Sequence, residues 1–155
     1  MDQDSDQVTL ALPLPWQEQL WERFDQRLEQ GRLPHGVMLS GPPGIGVERL
    51  ATAFSQRLLC NAEMSKYACG SCKGCKLLMA GTHPDLSILE PADVGKGILI
   101  DSVRNLTARL GKTAQQGGWK VALISLAEAM NESSCNALLK SLEEPQSKTL
   151  LILVS

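Results

Sequence analysis

No charge of either sign dominates this sequence: 15 Lys and Arg stand against 17 Asp and Glu, a formal net charge of −2. That balance excludes a broadly basic face that grips nucleic acid unaided, so any DNA contact must be local or borrowed from partners. No apolar run approaches the ~20 residues that a bilayer span requires. The opening Met1-Asp2-Gln3-Asp4-Ser5-Asp6 is acidic and polar, where a secretory leader is basic and then apolar. No membrane partner is expected, and the expected compartment is the cytoplasm. Aromatics are sparse at 4%, and there is no internal repeat or low-complexity tract.

The 155 residues that remain to be explained are 43% hydrophobic and 21% charged, with 13 Gly and 8 Pro, the balance of one globular domain rather than of a disordered or collagenous chain. A chain of this size buries roughly 70% of its unfolded surface and so needs no disulfide to fold. In a reducing compartment its five cysteines read as metal ligands before disulfides.

Pro15 suits a first helical turn, and Trp16, Leu20, Phe24 and Leu28 repeat every four residues, which predicts a helix with one apolar stripe stopped near Gly31. His35 to Ser40 reads as a short buried strand, followed by the loop Gly41-Pro42-Pro43-Gly44-Ile45-Gly46 and a helix carrying Leu50, Phe54 and Leu58. Leu86 to Leu89 is a second strand, and Asp101 is a candidate N-cap for a helix with Val103, Leu106 and Leu110 on one face. Trp119 to Ser125 is a third strand, Glu132 to Glu144 a helix stopped by Pro145, and Thr149 to Val154 a fourth strand, wholly apolar. Alternating strands and helices predict an α/β fold with a parallel sheet between helices. A buried parallel strand is an unusual terminus, so the expectation is an excised domain of a longer polypeptide.

Strand, glycine-rich turn, helix is the setting in which G-x-x-x-x-G-K-[ST] holds nucleotide: backbone N–H groups and the helix start cradle phosphate, Lys reaches the outer phosphates and the hydroxyl holds magnesium. Gly41 and Gly46 occupy the glycine positions, but Val47 replaces the Lys and Glu48 the Ser or Thr. At about 4 Å from a phosphate, the Glu48 carboxylate would repel it by roughly 4 kcal/mol at an effective dielectric near 20, more than one ordinary hydrogen bond of ~1 kcal/mol returns. ATP binding is not expected, while a weak anion site on the loop N–H groups, or no ligand function beyond a tight turn, stays open. The strand Val121 to Ile124 runs into Ser125 where a phosphate-loop ATPase places a magnesium-holding acid. Glu128 reads as a solvated or capping carboxylate rather than a substitute for it.

Cys60, Cys69, Cys72 and Cys75 give C-x8-C-x2-C-x2-C, a knuckle at 60–75 whose four thiolates suit a tetrahedral, structural zinc at ~2.3 Å from each sulfur. Gly70 and Gly74 are read as the turns that let the sulfurs converge. A redox C-x-x-C pair, unrelated buried thiols and an iron-sulfur cluster are the competing readings. Cys135 reads as a small core residue, His83 as a turn residue and His35 as a strand-entry residue. No nucleophile–base pair is identifiable, so no catalytic residue is expected.

Together these stretches resemble the bacterial clamp-loader AAA+ subunits of the DNA polymerase III holoenzyme. The likeness rests on Arg32-Leu33-Pro34-His35, the loop Gly41 to Gly46, the knuckle ending Cys72-Lys73-Gly74-Cys75, Gly81-Thr82-His83-Pro84-Asp85, and Asn136 to Pro145. It implies a phosphate-loop AAA+ domain over residues 1–155, truncated at its C-terminal end, with a five-stranded sheet and a zinc-binding insertion. The family's gamma and tau motor subunits keep the loop Lys and Thr and an acidic strand end. Val47, Glu48 and Ser125 instead match its delta-prime branch, a non-catalytic scaffold without intrinsic ATPase. The alternative is an active gamma/tau-like ATPase with a divergent loop. Implied partners are gamma/tau and delta subunits in a hetero-pentameric ring, with the sliding clamp and primed DNA reached through that complex. Lys140, on the helix after Asn136, would face the ring interior in related assemblies, with a solvated helix charge as the plainer expectation. The family's arginine finger, in a Ser-Arg-Cys triplet, has no counterpart in these residues and is expected beyond Ser155.

Overall fold

The computed structural model describes residues 10–62, 65–93, 95–143 and 147–155. Four strands, β1 (Gly36–Leu39), β2 (Leu86–Leu89), β3 (Lys120–Ile124) and β4 (Thr149–Val154), form one sheet in the order β1-β4-β3-β2. Every pairing is parallel. Among the described residues, helix α1 (Glu18–Glu29) precedes the sheet and α2 (Val47–Leu59), α3 (Lys73–Met79), α4 (Ile100–Leu110) and α5 (Glu132–Glu143) lie between its strands in sequence.

The continuous apolar runs of β3 and β4 are what a two-sided sheet requires, since successive side chains point to opposite faces. Val121, Leu123, Leu150, Ile152 and Val154 pack with α1 and α2, while Ala122, Ile124 and Leu151 pack with α4 and α5. The parallel α/β sheet between helices predicted from the pattern is therefore present, with four strands among the described residues.

Three local expectations are corrected. The buried residues of α1 are Trp21 and Phe24, with Gln17 buried just before it, whereas Trp16 and Leu20 are 61% and 49% exposed. A strict four-residue repeat drifts by ~40° per step on a helix of 3.6 residues per turn, so alternation of four and three keeps a face better. Pro15–Gln17 forms a single 3-10 turn before α1. β1 is an edge strand rather than a buried one, and Met38 is 64% exposed. The N-cap of α4 is Leu99, with no side-chain hydrogen bond, and Asp101 lies inside the first turn, where its charge still favours the helix dipole. The expected stop at Glu144 and Pro145 lies outside the described residues.

The scarce aromatics are concentrated. Phe24 and Phe54 stack at 4.0 Å between ring centroids, and Trp21 lies 5.2 Å from Phe54 and 5.3 Å from Tyr67. Such rings bury large areas and prefer offset contacts. Through Tyr67 this cluster ties the cysteine insertion to the core, and the Trp21 Nε1–H donates to the Lys66 carbonyl at 3.2 Å.

Candidate functional site

The loop after β1 is built as a tight turn. Pro43 and Gly44 are its central residues, Gly44 has φ +87°, and the Ile45 N–H donates to the Pro42 carbonyl at 3.3 Å, the combination a type II turn favours. Gly46 caps α2 in the left-handed region at φ +91°. A Cβ there would stand 2.4 Å from Leu14 Cδ1, so glycine is required twice over, by conformation and by space. The segment before α1 holds the loop from outside: the Trp16 Nε1–H donates to the Ile45 carbonyl at 2.9 Å, and the Gln17 amide donates to the Gly46 carbonyl at 2.9 Å.

Gly41, Pro42, Pro43, Gly44 and Gly46 line a cavity of about 550 Å³, and Ile45 does not. Val47 and Glu48 open α2 at its edge, and Leu126, Glu128 and the end of β4 close the other side. The Ser125 hydroxyl, just beyond β3, donates to Glu48 Oε2 at 3.2 Å. The two positions where an ATPase keeps its magnesium donors are thus bonded to each other, with the carboxylate and the hydroxyl on exchanged elements. Arg49, which the sequence reading passed over, also lines the cavity, but its Nε–H donates to the Leu12 carbonyl at 2.7 Å. Leu126 takes φ +54°, a left-handed conformation uncommon for a branched side chain. Glu128 sits in the short turn Ala127–Ala129 and is exposed.

The four expected thiols converge. All Sγ atoms of Cys60, Cys69, Cys72 and Cys75 lie within 4.8 Å of one another. Cys69 and Cys75 are 3.9 Å apart and Cys60 and Cys72 3.8 Å, close to the ~3.8 Å edge of a sulfur tetrahedron with metal–sulfur bonds of ~2.3 Å. Backbone N–H groups surround the sulfurs: Asn61 and Cys75 donate to Cys72 Sγ, Ala62 and Cys69 to Cys60 Sγ, and Ser71 and Cys72 to Cys69 Sγ, all at 3.3–3.4 Å. Such donors stabilise thiolates. The Ser71 and Cys72 N–H groups hold the Cys69 thiol down to about 6 from an ordinary 9.0. Burial works to raise Cys72, yet the Asn61 and Cys75 N–H groups outweigh it and leave the thiol lowered. Burial pushes Cys60 and Cys75 up, a penalty that a bound cation would reverse. These residues could hold a metal ion. Cys135 is half-buried in α5 and has no part in the cluster.

Gly70 makes a turn as expected, at φ +79°, but Gly74 does not. It lies within α3, where a Cβ would come 2.2 Å from the Leu59 carbonyl oxygen, and its N–H donates to Asn61 Oδ1 at 2.8 Å. Its role is close approach of α3 to the end of α2. The helix itself is not legible in the sequence, because seven residues containing a glycine and a cysteine carry too short a periodic signal.

His83 does turn the chain, but it is only 7% exposed. Its Nδ1 accepts the Asp85 N–H at 3.1 Å. Asp85 in turn accepts the Gln115 and Gln116 N–H groups at 2.8 and 2.9 Å, fixing the loop that leads into β3. The Lys120 ammonium donates to the carbonyls of Leu110 and Lys112 at the end of α4.

A glycine turn between a parallel strand and the start of helix α2, and a four-thiol knuckle at the far end of that helix, define a phosphate-loop-type α/β domain. The family model described as DNA polymerase III, delta subunit, matches residues 16–155, and the chain belongs to that family. It is 48% identical over 141 residues to DNA polymerase III subunit delta' of Pseudomonas aeruginosa, covering 91% of this chain and 42% of that protein. The Escherichia coli protein of the same name is 38% identical over 142 residues, covering 91% and 42%, and that of Haemophilus influenzae 38% over 139, covering 90% and 42%. The chain thus spans about two fifths of the length of these relatives. The crystal structure of a DNA polymerase III gamma subunit-related protein from Thermotoga maritima overlaps it at a TM-score of 0.49 with 18% identity, covering 89% of this chain and 38% of that one. Among the described residues no helix is long and apolar enough to cross a membrane.

Proposed function

We propose that this chain forms the N-terminal AAA+ domain of a delta-prime-type subunit of the bacterial clamp loader. It is a cytoplasmic scaffold that binds no working nucleotide and contributes rigidity and an interface rather than hydrolysis. The observation that carries the reading is the Ser125–Glu48 hydrogen bond of 3.2 Å, which joins the two positions an ATPase uses for magnesium while Val47 leaves the outer phosphates without their cation. Zinc is the ion we assign to Cys60, Cys69, Cys72 and Cys75. When bound it supplies a closed four-thiolate crosslink that fixes the ends of α2 and α3, with no ligand position left for water.

In this reading the subunit sits in a hetero-pentameric ring beside gamma/tau and delta subunits and reaches the sliding clamp and primed DNA through that ring. Arg104 and Lys140 line the same groove between α4 and α5 together with Thr107, Asn136 and Ser141, a chemistry suited to backbone phosphate. Reconstitution tests the assignment. The full-length chain added to gamma/tau and delta should complete a ring that loads the clamp on primed DNA, and a ring that loads equally well without it refutes the proposal.

A second reading, a divergent gamma/tau-like ATPase, is favoured by one feature: a carboxylate and a hydroxyl are both still present at the magnesium positions, on exchanged elements. It requires phosphate release by the full-length chain alone, which the scaffold reading excludes.

A further inference from the structure

The glycine loop and the cysteine knuckle lie at opposite ends of α2, whose 13 residues span about 20 Å at ~1.5 Å per residue. One stretch of chain touches both. Residues 10–14 belong to no helix or strand, and Pro15–Gln17 is a single 3-10 turn leading into α1, so this stretch is held by what it docks on rather than by a backbone ladder of its own.

Its knuckle-side anchors are Leu10, Glu18 and Trp21. Leu10 Cδ1 lies 3.5 Å from the place a Cβ on Gly70 would take. The Glu18 carboxylate accepts the Tyr67 hydroxyl at 3.2 Å and the Lys66 ammonium at 3.5 Å. Trp21 donates to the Lys66 carbonyl and packs its ring against Tyr67. At the other end, the Trp16 indole donates to the Ile45 carbonyl and the Gln17 amide to the carbonyls of Ile45 and Gly46. Leu14 fills the space a side chain at Gly46 would need. Between these ends the Ala11 N–H donates to Gln56 Oε1 and the Arg49 Nε–H to the Leu12 carbonyl, both at 2.7 Å. The stretch therefore runs beside α2, antiparallel to it, from knuckle to loop.

We propose that residues 10–21 are a coupling strap: a metal-loaded knuckle orders the strap, and the strap holds Ile45 and Gly46 in their closed turn. The proposal rests on the reading of the four thiols as a metal centre. Lys66, Tyr67 and Gly70 lie between Cys60 and Cys72, and the described residues of that interval belong to no helix or strand. Their path is fixed where the sulfurs are joined. Thiolates that no cation joins repel one another, and as they part they carry the docking points of Leu10, Glu18 and Trp21 with them. Helix α2 also connects the two sites, but its continuous internal hydrogen bonds give it no second arrangement through which to signal. The strap has one, docked or released. Local release of this kind links sites without any large change of fold, and the link is reciprocal.

The test is hydrogen exchange in the full-length chain, zinc-loaded and chelator-stripped. It is read at the Ile45 N–H, which donates to the Pro42 carbonyl, and at the Trp16 indole N–H, with the Val121 and Leu151 N–H groups of the central strands reporting an intact sheet. Exchange at Ile45 and Trp16 should be tenfold or more faster in the stripped chain, return to its loaded rate on adding zinc, and leave Val121 and Leu151 unchanged. Leu10→Ala combined with Glu18→Ala cuts knuckle-side anchors and should make loop exchange fast in both states. Gln17→Ala removes bonds that all go to Leu14, Ile45 and Gly46. By reciprocity it should weaken zinc threefold or more in competition with a chromogenic chelator, a result that decides the matter even where the stripped chain unfolds throughout. Loop exchange that ignores zinc in the folded chain, a response that survives the double change, or undiminished zinc affinity in Gln17→Ala would each overturn the coupling. Failure of the chain to take up zinc at all would instead overturn the metal reading, and the proposal with it.

Discussion

The Ser125 hydroxyl and the Glu48 carboxylate, 77 positions apart in the chain, meet at 3.2 Å where strand β3 ends beside the start of helix α2. The contact is an internal crosslink between the end of the sheet and the start of the helix. Breaking it should cost little. Ser125→Ala removes one neutral-to-charged hydrogen bond whose acceptor remains exposed to water, so the expected loss is about 1 kcal/mol, measured by denaturant unfolding. ATP affinity should not rise, because the carboxylate remains.

Restoring the donors should restore the site. The combined change Val47→Lys, Glu48→Thr and Ser125→Asp removes a repulsion of roughly 4 kcal/mol and returns the cation and both magnesium ligands. Magnesium-dependent ATP binding is expected to appear in equilibrium titration of this variant and not of the parent. Failure of the folded variant to bind would show that the loop backbone, and not its side chains, forbids the nucleotide.

Gly74→Ala should loosen the metal knuckle. A methyl group 2.2 Å from the Leu59 carbonyl oxygen cannot be accommodated without moving α3 from the end of α2, and with it Cys72 and Cys75. The expected outcome is a metal affinity reduced by tenfold or more in competition with a chromogenic chelator, while Lys73→Ala on the same helix leaves it unchanged. Metal analysis of the parent should give one zinc, and Cys135→Ser should not alter it.

Acid should destabilise the domain through His83. Burial holds its folded pKa below the ordinary 6.5, so the folded state favours the neutral ring. The contribution is complete above about pH 6.5 and is lost as pH falls through the lowered folded value. Protonation also takes the Nδ1 lone pair that accepts the Asp85 N–H. Melting temperature measured from pH 7.5 downward should decline on that limb, and His83→Gln should flatten the decline.

The two tryptophans of α1 and its lead-in turn should behave oppositely. Trp21 is 1% exposed and stacked among Phe24, Phe54 and Tyr67, so Trp21→Ala should cost about 3–5 kcal/mol. Trp16, 61% exposed, should cost on the order of 1 kcal/mol, mostly through its bond to the Ile45 carbonyl. Thermal unfolding of the two variants separates them.

What could be read from the sequence was what repeats or what chemistry demands at fixed spacing. The apolar runs of β3 and β4, the glycine turn after β1 and the four cysteines are of this kind, and each stands where its pattern placed it. The buried face of α1 was misread because Trp16 and Trp21 are equally apolar as letters, and only the docking partner distinguishes them. Gly74 looked like a turn residue since close approach to a carbonyl 15 positions earlier leaves no local signature. The Ser125–Glu48 bond was legible only as two losses; their mutual contact required the crossover that brings β3 beside α2.

The most direct measurement is a calorimetric titration of the zinc-loaded full-length protein with ATP, with and without magnesium. The account predicts no saturable heat in either case at nucleotide concentrations up to millimolar. Stoichiometric, magnesium-dependent binding in the micromolar range would contradict it.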